Sequence, residues 1–301
     1  MFQLHDGGGY QVSTHNSVMV VGSSGFLGRQ VMELLTPLVN VVPTHCYNRS
    51  FPTSIHYDFF KDDIRDTLNQ LDVSIVIFTA SVERKPTTNF QASMDRFSSG
   101  CGDRRIIYVS SAAVFDGISG QYTEDDIPAP QSLYGRNLLL SEKLIREHCP
   151  NSCIIRPCYI YGYSNEKLDK RLSRTCKALS AGEEVLLFND MYKSPLGVRQ
   201  VAEAVIYLSL SEYIGILHVA GERLNVFDFH YQAMETLGVN TNNLRPCSMP
   251  SDGGFLKDTS LCSSHWQQLS GMKPLSVQET LAPKSALTPQ WSGPGGLGKK
   301  H

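Results

Sequence analysis

Short apolar runs alternate with stretches that carry an apolar residue every three or four positions through the first half of the chain. A continuous apolar run of about five residues marks a buried strand and a 3.6-residue period marks a helix, so this alternation predicts repeated βαβ units. Such units give α/β architecture, with a parallel sheet between two layers of helix. Ser17–Val21 reads as a short buried strand, and a helix over 25–35 turns Phe26, Leu27, Val31, Leu34 and Leu35 toward the sheet. Val41–His45 is the second strand, 64–71 a helix, and Val73–Phe78 a strand rich in β-branched residues. A strand at 106–109 follows, then a long loop of Gly, Asp and Pro, a helix over 134–148 ended by Pro150, and a strand at 153–156.

After Gly162 the rhythm loosens. Helices are predicted at 168–179, at Val198–Leu210 and at 227–237, the last ended by Gly238, with a strand at 214–219. From Gly271 onward the chain holds four Pro, five Gly and four Lys against one Glu, a composition that predicts a flexible tail over 271–301. The polar, Gly-rich residues 1–16 predict a flexible leader and lack the basic-then-apolar order of a signal peptide.

Composition narrows the class. With 301 residues, 41% hydrophobic and 19% charged, the chain has enough apolar matter for a sizeable core. A net charge of -2 supplies no bulk attraction to nucleic acid or to an anionic membrane, and no run of 18 apolar residues is present to span one. The eight cysteines form no CxxC pair and no His pair stands at zinc spacing, so no metal site is expected. Free thiols fit a reducing compartment and predict a cytoplasmic protein.

The first strand runs into Gly22-Ser-Ser-Gly25-Phe-Leu-Gly28, which opens the first helix. A pyrophosphate cradle needs this order. The first glycine makes a tight turn, the second lets backbone approach the phosphates, and the third lets helix pack on strand, with the helix N-terminus facing the charge. Gly22, Ser24, Gly25, Phe26, Leu27 and Gly28 are therefore candidate dinucleotide contacts. An acidic residue about twenty positions on would bind a ribose 2′-hydroxyl; here the segment reads Tyr47-Asn48-Arg49-Ser50. Arg49 can instead pair with a 2′-phosphate, so NADP is the expected cofactor, and Asp58 is placed to meet the adenine. The fold class is a Rossmann-type doubly wound parallel sheet with a smaller C-terminal α/β lobe. The NADP-binding domain spans 17–163 and the partly interleaved lobe 164–270.

Further on stand Ile106-Ile-Tyr-Val-Ser-Ser-Ala-Ala-Val-Phe-Asp-Gly117, Tyr122-Thr-Glu-Asp-Asp-Ile-Pro-Ala-Pro130 and Tyr134-Gly-Arg-Asn-Leu-Leu-Leu-Ser-Glu-Lys143. With Arg156-Pro157, Tyr161-Gly162, Leu217-His218 and Leu244-Arg245-Pro246, these segments resemble the extended short-chain dehydrogenase/reductase family over about residues 17–270. The branch is that of the dTDP-4-dehydrorhamnose reductases, and within it the chain is similar to the regulatory β subunits of eukaryotic methionine adenosyltransferase. The resemblance places Ala80, Tyr134, Arg156 and Pro157 on the cofactor as well, and Ser111 and Tyr134 in the catalytic positions. It also implies a partner, the catalytic subunit of methionine adenosyltransferase, docked partly through the C-terminal tail. Here that tail ends Gly-Gly-Leu-Gly-Lys-Lys-His301 and differs from the aromatic and basic ending the resemblance leads one to expect.

The family's reductases pair the Tyr with a Lys four residues later, which shares its helix face and lowers its pKa. That position is Leu138. Lys143, nine residues along, would stand about 13 Å away on another face. Without an ammonium nearby, Tyr134 should titrate near its ordinary value of about 10. The family's Asp-Tyr pair after the catalytic Ser is Ala112-Ala113, and only 22 residues, Thr87 to Tyr108, fill a crossover expected to be about a dozen longer. The motif His-Val-x-Asp-Val-Ala reads Gly197-Val-Arg-Gln-Val-Ala202. These departures predict a pseudoenzyme acting as a regulator of S-adenosylmethionine synthesis. The alternative is an NADP-dependent reductase of a nucleotide sugar.

Overall fold

A computed structural model describes residues 17–47, 49–84, 89–251 and 254–282. The leader, residues 1–16, and most of the stretch read as a tail, residues 283–301, lie outside the described residues. The first half alternates as the apolar pattern dictates: β1 (Ser17–Val21), α1 (Phe26–Leu35), β2 (Val41–His45), the two-residue β3 (Ile55–His56), α2 (Ile64–Gln70), β4 (Val73–Phe78), α3 (Phe90–Cys101), β5 (Arg105–Val109), α4 (Leu133–His148) and β6 (Ser152–Arg156). The strand Gly215–His218 completes a seven-stranded sheet in the order Gly215–His218, β6, β5, β4, β1, β2, β3. Every neighbouring pair runs parallel. The order reverses beside β1, which opens a crevice at the carboxyl ends of β1 and β4.

Both faces of the sheet are covered, so its strands are buried throughout, as parallel sheets require. Val18, Val20, Ile75, Ile77, Ile107 and Ile155 face α1 and α6 (Val198–Leu210). Met19, Val76, Phe78, Ile106, Tyr108 and Ile154 face α2, α3 and α4. The sheet and its helical layers thus draw on chain well beyond residue 163.

Helix α3 is absent from the elements predicted above. It carries Phe90, Met94, Phe97 and Cys101 at helical spacing, but Ser93, Ser98 and Gly100 share the buried face and thin the apolar signal. Its 12 residues bridge the shortened crossover and pack against α2 and α4.

The smaller lobe gathers Tyr159, Tyr161, Leu172, Leu179, Phe229 and Met234 around α5 (Lys170–Ser180) and α7 (Val226–Thr236). The first part of the expected tail belongs to it. After α8 (Ser264–Ser270), the chain forms α9 (Val277–Leu281), which starts with a capping box of Ser276 and Glu279 and buries Val277 and Leu281 in the lobe core. Gln200 secures the connection: its side-chain N–H donates to Lys273 O at 2.8 Å while its carbonyl accepts from Leu275 N at 2.9 Å. A carboxylate could make only the second of these bonds, so the Gln that replaces the family's acid has a structural use. Composition misread this stretch because one capping box and two apolar side chains are enough to dock a single turn.

Candidate functional site

One cleft of about 520 Å³ opens at the crevice between β1 and β4. Its floor at one end is the glycine loop. Gly22 has φ +89°, and a Cβ there would stand 2.6 Å from Ala80 N, so the first glycine makes the turn and also lets the ends of β1 and β4 close up. A Cβ on Gly28 would lie 2.2 Å from Gly22 O, so the third glycine seats α1 on the strand. Gly25 is exposed and extended, and no side chain caps the helix it precedes. The amides of the first turn of α1 thus face the cleft with no acidic side chain in that turn, an arrangement that suits a pyrophosphate. Gly22, Ser24, Gly25, Phe26 and Leu27 line the cleft, and Gly28 serves it from behind by packing.

The remaining predicted contacts divide. Ala80, Asp58, Ser111, Tyr134 and Pro157 line the cleft. Asp58 is buried at the end of the segment after β3, where its carboxylate accepts from Phe60 N at 3.0 Å and meets Lys61 at 3.3 Å. Arg49 lies outside the lining, exposed, with its guanidinium donating to Pro52 O. The arginine tied to the glycine loop is Arg29, which donates to Ser24 O at 2.9 Å and to Ser50 Oγ at 3.1 Å. Arg156 is likewise no lining residue. It is buried behind the wall in a two-pronged pair with Glu142, at 2.9 and 2.6 Å, and Glu142 also accepts from Ser110 Oγ. The pair braces the strand ends that carry Ser111 and Pro157 instead of touching a ligand.

The other end of the cleft is built by α4. Ser132 caps this helix through Gly135 N, and a Cβ on Gly135 would lie 2.1 Å from Ala113 O, so the helix start sits hard against the turn after β5. That contact brings Tyr134 beside Ser111, and both line the cleft. One turn on, Leu138 is 1% exposed and part of the core, so no cation stands there. The phenol is nevertheless not in its ordinary range. Burial raises its pKa, the nearby Glu83 adds to this, and hydrogen bonds from Ser111 and Arg84 oppose it. The expectation of an unperturbed Tyr134 is therefore corrected upward, and phenolate at neutral pH is scarcer still.

Sequence reading passed over Glu83 and Arg84, both of which line the cleft. Glu83 is 2% exposed and accepts from Tyr108 Oη at 2.6 Å, and burial pushes its carboxyl up to about 7. The Arg84 guanidinium lies 4.0 Å from the centroid of the Tyr134 ring. Fifty positions separate Arg84 from Tyr134, and no local spacing announces their meeting.

None of the eight cysteines is bonded, and no cluster of metal-ligating side chains occurs among the described residues. No helix among them is long and apolar enough to cross a membrane.

Comparison with known proteins agrees with this architecture. The model of the RmlD substrate binding domain matches residues 16–283. A probable low-salt glycan biosynthesis reductase of Haloferax volcanii is 30% identical over 73% of this chain and 79% of its own. The β subunit of methionine adenosyltransferase 2 from Danio rerio is 28% identical over 49% of each chain. Among solved structures, a hypothetical dTDP-4-dehydrorhamnose reductase from Sulfolobus tokodaii superposes with a TM-score of 0.76 at 24% identity, over 87% of this chain and 98% of that one. The dTDP-4-dehydrorhamnose reductase of Bacillus anthracis, solved in complex with NADP, gives 0.75 at 18% identity over 88% and 96%.

Proposed function

The chain belongs to the RmlD substrate-binding domain family, and we propose that within it this protein is a non-catalytic, NADP-binding regulatory subunit of methionine adenosyltransferase. The observation that carries this reading is Leu138. The residue that should hold a cation one turn from Tyr134 is instead packed into the core at 1% exposure, in a fold that is otherwise whole. Restoring a lysine there would bury an ammonium among apolar side chains, so the site is not one substitution away from its relatives' chemistry. Ala112 is also buried, facing the core where a substrate-contacting side chain is missing.

The cofactor half of the reading rests on the glycine cradle. Gly22, Ser24, Gly25, Phe26 and Leu27 would hold the pyrophosphate, Asp58 the adenosine end, and Ala80 and Pro157 the walls around the nicotinamide half. Arg49 and Arg29, both beside the end of β2, are the cations available to a 2′-phosphate, which favours NADP over NAD. Bound dinucleotide would serve structure and signalling. Eight unbonded cysteines fit a cytoplasmic setting.

A second reading has its own support. Ser111 and Tyr134 both line the cleft in the positions the resemblance makes catalytic, as an NADP-dependent nucleotide-sugar reductase would need. One experiment separates the two. The purified chain is mixed with the catalytic subunit of methionine adenosyltransferase, run on a sizing column, and assayed for S-adenosylmethionine synthesis with and without NADP. In parallel, NADPH oxidation is followed with a dTDP-4-keto sugar. Co-elution with a changed synthesis rate and no oxidation above background is the expected result. No co-elution, together with turnover at about 1 s⁻¹ or faster, would replace the regulatory reading with the reductase.

A further inference from the structure

At the end of the cleft away from the glycine loop, three donors converge on one point. The Arg84 guanidinium covers the Tyr134 ring at 4.0 Å, and Ser111 lines the cleft with them. Ser111 Oγ accepts from Ala113 N at 3.3 Å, which leaves its own proton to be donated into the cleft. Arg84 is exposed on its outer side and can reach a ligand without crossing the core.

Around this point Arg84 is the cation against the Tyr134 ring, and Glu83 is the acid nearby. A second guanidinium, Arg171, also lines the cleft and stands 3.5 Å over the Tyr159 ring. Two acids line the cleft. Asp58 lies past β3 at the glycine-loop end, and Glu83 is turned to Tyr108 Oη and held partly neutral by burial. A carbonyl oxygen would use the two hydroxyls and leave the planar guanidinium fork unmatched. A carboxylate uses all three groups, because its two oxygens fit the fork and still accept from Ser111 and Tyr134.

We propose that the Tyr134 end of the cleft is a binding site for a small carboxylate, gripped by Arg84 and received by the hydroxyls of Ser111 and Tyr134. A carboxyl group does not itself accept hydride from a reduced nicotinamide, so it would be held here as an anchor, and under the regulatory reading the molecule that carries it is an effector. The proposal deepens the regulatory reading above and rests on it, since it gives the emptied catalytic position a ligand of its own.

The test uses the full chain loaded with NADP and saturation-transfer NMR with four probes: pyruvate, glucuronate, and their neutral counterparts pyruvamide and glucose. Either carboxylate should saturate, with its neutral counterpart at least about tenfold weaker, the usual scale for losing a charge-assisted pair. Pyruvate alone would indicate a keto-acid effector, glucuronate alone a sugar acid. Arg84→Gln should weaken the bound carboxylate at least about tenfold and Arg84→Lys less, since a lysine keeps the charge without the fork. Equal binding of acid and neutral counterpart, binding unchanged in Arg84→Gln, or no binding of either acid would each overturn the proposal. A separate NADP titration without probes reads the cofactor assignment alone. Carboxylate saturation without NADP binding would leave this site standing and remove the cofactor.

Discussion

At the glycine-loop end of the cleft the walls are backbone, and at the Tyr134 end they are side chains. Gly22 and Gly28 allow close approach of main chain that any Cβ would obstruct, at 2.6 and 2.2 Å from the nearest atoms. The same contacts pack α1 onto the sheet, so the cradle persists as long as the fold does. Ser111, Leu138 and Ala113 carry no such double duty. A lysine can become a leucine at 138 and improve the core, whereas a glycine at 28 cannot become anything larger. The glycine-loop end is therefore harder to alter without losing the fold than the Tyr134 end, and the difference follows from which atoms each end is made of.

The largest effect should come from behind the Tyr134 end. Glu142→Gln leaves Arg156 buried without its countercharge and should cost about 3–5 kcal/mol, read by urea unfolding. A loss under about 1 kcal/mol would mean that this brace does not hold the strand ends together.

The glycine loop should respond in the opposite way, in binding and not in stability. Gly25→Val puts a branched side chain where backbone meets phosphate, and should weaken NADP about 100-fold, or about 2.7 kcal/mol. Gly25 is exposed and extended, and a Cβ there would meet only Gly22 O, at 3.2 Å, so the loss of stability should stay below about 1 kcal/mol. A folded variant with normal affinity would reduce the loop to a turn.

Glu83 offers a pH handle on the Tyr134 end alone. Its carboxyl is raised from 4.5 to about 7 by burial, so between these values the folded chain holds a proton that the unfolded chain has released. Its stability contribution is complete below about 4.5 and is lost as pH rises toward 7, by roughly 1–3 kcal/mol. Glu83→Gln keeps an acceptor for Tyr108 and should flatten that slope, matching the native protein near pH 4.5 and exceeding it at pH 8. Parallel stability curves for the two proteins would place the carboxyl in water.

The smallest effect belongs to Arg49. It is exposed and outside the cleft lining, so Arg49→Ala should lower NADP affinity by less than about tenfold while leaving NAD unchanged. A loss above about 100-fold would show that the 2′-phosphate draws this loop inward.

Much of this contrast is legible in the chain itself. The predicted helix over 134–148 and the observed α4 (Leu133–His148) differ by one residue, because Ser132 and Pro150 bound it locally. The glycine loop is legible for the same reason, since a turn, a helix start and a strand end lie within seven consecutive residues. Arg84 is not, because its partner stands on α4, with α3 and β5 between them in the chain. The resemblance puts Arg156 on the cofactor, yet its side chain turns to Glu142 on α4, behind the wall that Pro157 lines.

By itself the sequence determined the βαβ alternation, the phosphate cradle and the absence of a lysine one turn after Tyr134, since each is written in residues close along the chain. Tertiary structure decided the rest: that α3 bridges the short crossover, that 271–282 docks on the small lobe through Gln200, and that Arg84 faces Tyr134. These depend on contacts between distant segments, and such contacts exist only after the sheet has set the distances between its strands.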